Sequence, residues 1–181
     1  MNAIKILVEE HDIILRMIDV SRIMLADTST LNTDHVEQSV DFIKNFADKY
    51  HHLKEEDVLF MELENHGMSR QSGPVGVMLH EHEQGRAYVK QAEEAIVRLK
   101  SGDTRAAGLI KESLLNYGTL LTSHIYKENN ILYPMAERIL SQAVMQAMSE
   151  NFGEAIATTV NNEYTEKYLN MADELSRIYM K

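Results

Sequence analysis

Apolar residues recur at helical spacing along almost the whole chain, and strand-like alternation is hard to find. Ile4, Leu7, His11, Ile14, Ile18 and Leu25 form one stripe and predict a first helix over about residues 3–26. A polar connection follows, with Thr33 or Asp34 as the cap of a second helix over about 34–64. The core side of that helix carries Phe42, Phe46, Leu53, Glu56 and Phe60. Pro74 suits a first helical position and opens a third helix over about 74–100, striped by Met78, His82, Gly85, Val89, Ala92, Ile96 and Leu99. After Ser101-Gly102-Asp103 a fourth helix begins near 104, with Ile110, Leu114, Tyr117, Leu121, His124, Glu128 and Ile131 on one face. Pro134 predicts a bend in it, with helix continuing to about 148. A last helical segment over 153–179 carries Ile156, Val160, Tyr164, Tyr168, Met171 and Leu175. The expectation is an all-α, up-down-up-down four-helix bundle over residues 1–140. Residues 141–181 form an additional C-terminal helical segment, packed on the bundle or on a partner subunit.

Composition agrees with that picture and narrows the function. The chain has 181 residues, 44% hydrophobic and 25% charged, enough for one sizeable core. Cysteine is absent, which excludes disulfides, thiolate metal sites and cysteine nucleophiles. A formal charge of −10 argues against nucleic-acid or anionic-membrane partners. No apolar run approaches the roughly 18 residues of a membrane span, and Met1-Asn2-Ala3-Ile4-Lys5 lacks a signal-peptide layout, so the expected location is cytoplasmic. The eleven methionines read as flexible core filling.

Polar residues on the apolar stripes carry the candidate chemistry. Each bundle helix places a histidine there: His11, His52, His82 and His124. Two helices add a carboxylate one turn on, Glu56 and Glu128. One buried histidine is ordinarily a core residue bonded to a carbonyl, but four such residues with two paired carboxylates point to a metal. Imidazole and carboxylate without sulfur suit iron, manganese or zinc. Six donors exceed one tetrahedral zinc and suit two metals bridged by the two carboxylates. No Glu-x-x-His occurs, which separates the chain from ferritin-like dimetal bundles. His51 with Glu55 repeats the His52/Glu56 spacing and is its rival; an α-helical projection against Phe42, Leu53 and Phe60 turns His51 and Glu55 to solvent. Glu10 and Glu81 are candidates to orient a ligand from behind; His80, on a polar arc, reads as exposed or as a supporting residue, with a ligand role the lesser alternative, and His35 and His66 read as surface residues. Tyr117, Tyr126 and Tyr133 lie near the site, as packing residues or as hydrogen-bond donors, and Gly85 invites a close helix approach or a ligand channel.

Glu9-Glu10-His11, His51-His52-Leu53-Lys54-Glu55-Glu56-Asp57-Val58-Leu59-Phe60, Glu81-His82-Glu83-Gln84-Gly85-Arg86 and His124-Ile125-Tyr126-Lys127-Glu128-Asn129-Asn130-Ile131-Leu132-Tyr133-Pro134 together resemble the bacterial hemerythrin-like proteins of the HHE cation-binding family. The resemblance covers about residues 5–140. It implies a non-haem centre of two iron ions, with a bridging oxo or hydroxo group, inside the four-helix bundle. It further implies His11, His52, Glu56, His82, His124 and Glu128 as metal ligands. Dioxygen, or another small diatomic or peroxide, is the implied partner. Two positions depart from the oxygen-carrying members. Met78 stands where they have a further histidine, and Asn129 where they have an aspartate, five residues after the last-helix histidine. These departures extend the implied functions to redox sensing and to an enzyme acting on peroxide or nitric oxide. A cation-storage or zinc-binding bundle without a redox role is the remaining alternative, as a monomer or a homodimer.

Overall fold

The computed structural model describes residues 2–26, 29, 31–157 and 162–180. Helix α1 spans Ala3–Met24, its N-terminus capped by the Asn2 side chain on the Ile4 amide. Helix α2 opens over Thr33–Phe42, and its cap is Asn32, whose Oδ1 accepts from the amides of Asp34 and His35. The cap therefore falls one residue before Thr33. The same helix then widens into π-helical turns over Ile43–His52 and Glu55–Leu59 before closing over Phe60–Asn65. Helix α3 spans Gly73–Lys100 with Pro74 in its first turn. Helix α4 runs over Ala106–Lys127, a π-helical Glu128–Leu132 and Tyr133–Ile139. Helices α5, Gln142–Ala157, and α6, Asn162–Tyr179, follow.

Pro134 does not end α4. A proline ring lacks an amide proton and crowds the preceding turn, and the wide π turn just before it relieves both faults. The break comes instead at Leu140, whose backbone is extended (φ −89, ψ 135). The predicted helical continuation to 148 is thus a separate helix, α5. Val160 of the predicted C-terminal stripe lies outside the described residues, as does the side chain of Ile156.

The core is two apolar plugs with a polar layer between them. One plug contains Leu7, Leu59, Phe60, Leu63, Val75, Met78, Leu132 and Ala136. The other contains Ile14, Phe42, Phe46, Val89, Ile96, Ile110, Leu114 and Leu121. Reading residue numbers through the plugs, α1 and α3 run from the first to the second and α2 and α4 run back, which is up-down-up-down topology. Met145, Met148 and Phe152 of α5 join the first plug, and Tyr168, Ala172 and Leu175 of α6 join the second. Both C-terminal helices pack on α1, and α6 also reaches α2. The layer left between the plugs holds His11, His51, His52, Glu55, His82, His124 and Glu128, all buried.

Candidate metal centre

Each helix of the bundle contributes to this layer because its apolar stripe is interrupted there by histidine or glutamate. The donors form two groups, His52, Glu55, His82 and His124 in one and His11, His51, Glu55 and Glu128 in the other. Within each group the possible ligand atoms lie within 4.8 Å of one another. Glu55 belongs to both: its Oε2 is 3.6 Å from His51 Nε2 and 3.5 Å from His82 Nε2. Glu128 also spans them, with Oε2 3.3 Å from His11 Nε2 and Oε1 3.1 Å from His124 Nε2. The two buried clusters can hold a pair of metal ions.

The same side of every imidazole faces inward, and the cause lies behind the rings. Nδ1 of His51 donates to Glu10 Oε2 at 2.9 Å, Nδ1 of His52 to Asp48 Oδ1 at 3.3 Å and Nδ1 of His82 to Glu56 Oε1 at 2.7 Å. Nδ1 of His124 donates to Glu81 Oε2 at 2.9 Å, and Nδ1 of His11 to Asn129 Oδ1 at 2.8 Å. A carboxylate or an amide oxygen only accepts, so each ring keeps a proton at Nδ1 and turns Nε2 to the centre. All four of these carboxylates are held by a cation in turn. Glu10 meets Lys54, Glu81 meets Lys127, and Arg86 Nη2 lies 2.7 Å from Asp48 Oδ1 and 2.7 Å from Glu56 Oε1. Glu10 and Glu81 therefore do orient histidines from behind.

Inside the layer the polar atoms are not satisfied by protein. His51 Nε2, Glu55 Oε2 and both carboxylate oxygens of Glu128 are buried without a hydrogen-bond partner among the described residues. Burying such groups unpaired costs several kcal/mol, roughly 2–7 each for neutral groups and more for charges. His82 Nε2 and His124 Nε2 stand 3.0 Å apart, too close for two lone pairs unless positive charge lies between them. Without a metal, protons take up part of this charge. Burial pushes His124 down, but Glu128 and Glu81 outweigh it and hold its pKa up at about 9. Burial and the neighbouring Glu128 push Glu55 well above the usual carboxylate range. Burial and the adjacent His82 bring His52 down to about 3, leaving a neutral imidazole with a free lone pair. A pair of cations answers all of these faults together.

Of the residues expected in the site, the layer brings together His11, His52, His82, His124 and Glu128. The Glu56 carboxylate lies outside both groups, part-exposed, against His82 Nδ1 and Arg86. His51 and Glu55, placed at solvent by α-helical projection, are instead 1% and 0% exposed. The π turns are the reason. Leu53 bonds back to Asp48 and Phe60 back to Glu55, five residues rather than four. Each additional residue in a turn offsets an α-helical projection by about 100°. The projection across Phe42 to Phe60 therefore turns Glu56 inward, whereas the structure buries Glu55 of the doublet. It also hides that His51 and His52 both point inward, one to each group. The doubled His-His with Glu55 behind it was the available signal.

The family model of the hemerythrin HHE cation binding domain matches residues 2–136. The chain belongs to the hemerythrin HHE cation-binding family. Among curated proteins, this hemerythrin domain is similar to uncharacterized proteins of Mycobacterium bovis and Mycobacterium tuberculosis, 22% identical over 151 residues. The match covers 81% of this chain and spans 58% of the length of those relatives. No solved structure matches. No described helix is long and apolar enough to cross a membrane.

The hemerythrin fold also explains the two departures noted in the sequence. Met78 is an apolar plug residue, 3% exposed, packed with Leu59 and Val75. Asn129 spends its side chain on His11 Nδ1, outside the inward set. Tyr133 is the tyrosine that reaches the layer: its hydroxyl donates to Glu55 Oε1 at 2.6 Å, and its ring stacks on His11 at 5.5 Å. Tyr126, by contrast, is 65% exposed.

Proposed function

We propose that this chain holds two iron ions as a non-haem centre and uses them to bind or sense dioxygen or a related small diatomic or peroxide. The observation that carries the reading is the layer itself: five imidazoles turned inward by acceptors behind them, around two carboxylates with unpaired buried oxygens. In this reading His52, His82 and His124 would hold one iron and His11 and His51 the other, with Glu55 and Glu128, which reach both sets of histidines, available to both. Glu56 is then a positioning residue that acts through His82, a revision of the six-ligand set expected from spacing. Bound iron would supply a redox-active Lewis-acid pair that takes up a small ligand at an open position. The protein's own contribution is to keep all five Nδ1 protons outside the layer, to hold Tyr133 against Glu55 and to exclude bulk water between two apolar plugs.

The test is anaerobic iron loading followed by metal analysis and absorption spectra before and after air. Two irons per chain with new charge-transfer bands on oxidation are expected. Less than one iron per chain and no such bands would sink the reading; tight zinc occupancy with an oxygen-inert iron form would replace it by cation storage.

A further inference from the structure

A void lies inside the second apolar plug, where α1, α2 and α4 meet. The space open to a water's centre is about 10 Å³, room for a single water and for nothing larger. Its small size follows from a close approach. Glycine at position 118 lets α1 close on α4, because a Cβ there would meet Ile18 Cγ2 at 3.0 Å.

Three hydroxyl groups interrupt the apolar walls. Ser21 of α1, Ser39 of α2 and Tyr117 of α4 all line the void. Ser39 is 1% exposed and Tyr117 4%, and neither hydroxyl has a hydrogen-bond partner among the described residues. Ser39 is the more telling of the two. A serine or threonine inside a helix has a carbonyl within reach four residues back. Ser21 donates to Met17 O at 2.9 Å, Thr119 to Leu115 O at 2.9 Å, Thr122 to Gly118 O at 2.7 Å and Ser176 to Ala172 O at 2.6 Å. Ser39 leaves that bond unmade. A buried hydroxyl without a partner is costly and uncommon in a native core, and two on the wall of one void have a common remedy. The Ser21 hydroxyl, already committed as a donor, keeps lone pairs to accept.

We propose that the void holds one ordered water, which accepts from the Ser39 and Tyr117 hydroxyls and donates to Ser21 Oγ. Three bonds are the usual complement of a buried water. The site suits water because its polar groups are hydroxyls with no charge among them, so an ion would be left buried and unpaired. The water links three of the four bundle helices inside an apolar plug. The inference stands apart from the dimetal reading, since none of the inward histidines and glutamates lines the void.

A high-resolution crystal structure of the metal-free full chain tests the site directly. One water within hydrogen-bond distance of Ser39 Oγ, Tyr117 Oη and Ser21 Oγ is expected. A dry void overturns the proposal, as does a Ser39 hydroxyl bonded to its own helix carbonyl or straight to Tyr117. Thermal unfolding gives a second reading in solution, through its sign. With the water in place, Tyr117→Phe removes one of its partners and should lower the melting temperature by about 2–4 °C. In a dry void the same variant removes an orphaned hydroxyl and raises the melting temperature, which overturns the proposal. A cycle of Tyr117→Phe, Ser39→Ala and the double variant cancels the better helix propensity of alanine. The two substitutions should fall short of additive, since either one loosens the same water; additive effects overturn the proposal.

Discussion

The two ends of the metal layer use one device in different surroundings. At the His11/His51 end, Glu10 orients His51 and is held by Lys54, which is 1% exposed. The Lys54 ammonium sits 3.5 Å from the centre of the Tyr50 ring, and Phe152 of α5 lies over it at 6.0 Å. Burial pushes Glu10 up and Lys54 down, and each is drawn part of the way back by the other. At the His52/His82 end, Asp48 and Glu56 are held by Arg86, whose side chain is 34% exposed and faces a cavity between α2, α3 and α4. Burial raises both carboxylates, but His52 or His82 together with Arg86 outweighs it. Asp48 ends well below the usual range and Glu56 at about 2. The sealed end has no tolerance for a missing partner, whereas the open end can re-solvate one. The difference buries one half of the centre and leaves the other beside that half-open cavity.

The largest expected effect comes from the carboxylate common to both halves. Glu55→Gln should lower affinity for both metals by at least about 100-fold, the upper end of what a supporting residue costs. The same variant should raise the melting temperature of the metal-free protein at alkaline pH, because it removes a carboxyl whose ionisation burial and Glu128 oppose. Unchanged metal stoichiometry by elemental analysis would break the view that Glu55 joins the halves. Next in size is Glu10→Ala, which strands buried Lys54 and should destabilise by about 3–5 kcal/mol in urea unfolding. Metal removal comes third. Chelation should lower the melting temperature by about 10 °C, taking about 4 kcal/mol of linkage and 2–4 °C per kcal/mol. Arg86→Gln is smaller, at most about 1 kcal/mol of stability for a part-exposed network. Equal losses for Glu10→Ala and Arg86→Gln would erase the contrast between the ends. The smallest effect is salt: high ionic strength should weaken the Arg86 network and leave the buried Lys54 pair unmoved, read as a stability difference between R86Q and wild type that narrows with salt.

Much of the fold was legible because apolar periodicity survives any packing arrangement. The apolar stripes of α1, α3 and α4 supply most of the two plugs, except that the π turn of α4 brings Leu132 inward in place of Ile131, which is 49% exposed. The layer between them was visible as polar residues recurring where those stripes should have continued. The carboxylate of α2 was not legible, since α-helical projection assumes an i to i−4 ladder that the π turns abandon. Met78 and Asn129 read only as missing histidine and aspartate; packing shows one as a plug residue and the other as the tether of His11. The roles of Lys54 and Arg86 were equally hidden, because the carboxylates they hold come from other helices or from distant turns.

By itself, then, the order of apolar and polar residues determined four antiparallel helices, with histidines from every helix and Glu128 brought to one level. That follows from local geometry, since periodicity assigns each residue to a face and short connections reverse the chain. Tertiary structure alone decided that His51 joins His52, that Glu55 replaces Glu56 at the centre, and that one end is sealed while the other opens on a cavity. Those outcomes depend on hydrogen bonds five residues back and on side chains meeting across helices, neither of which a single-helix projection contains.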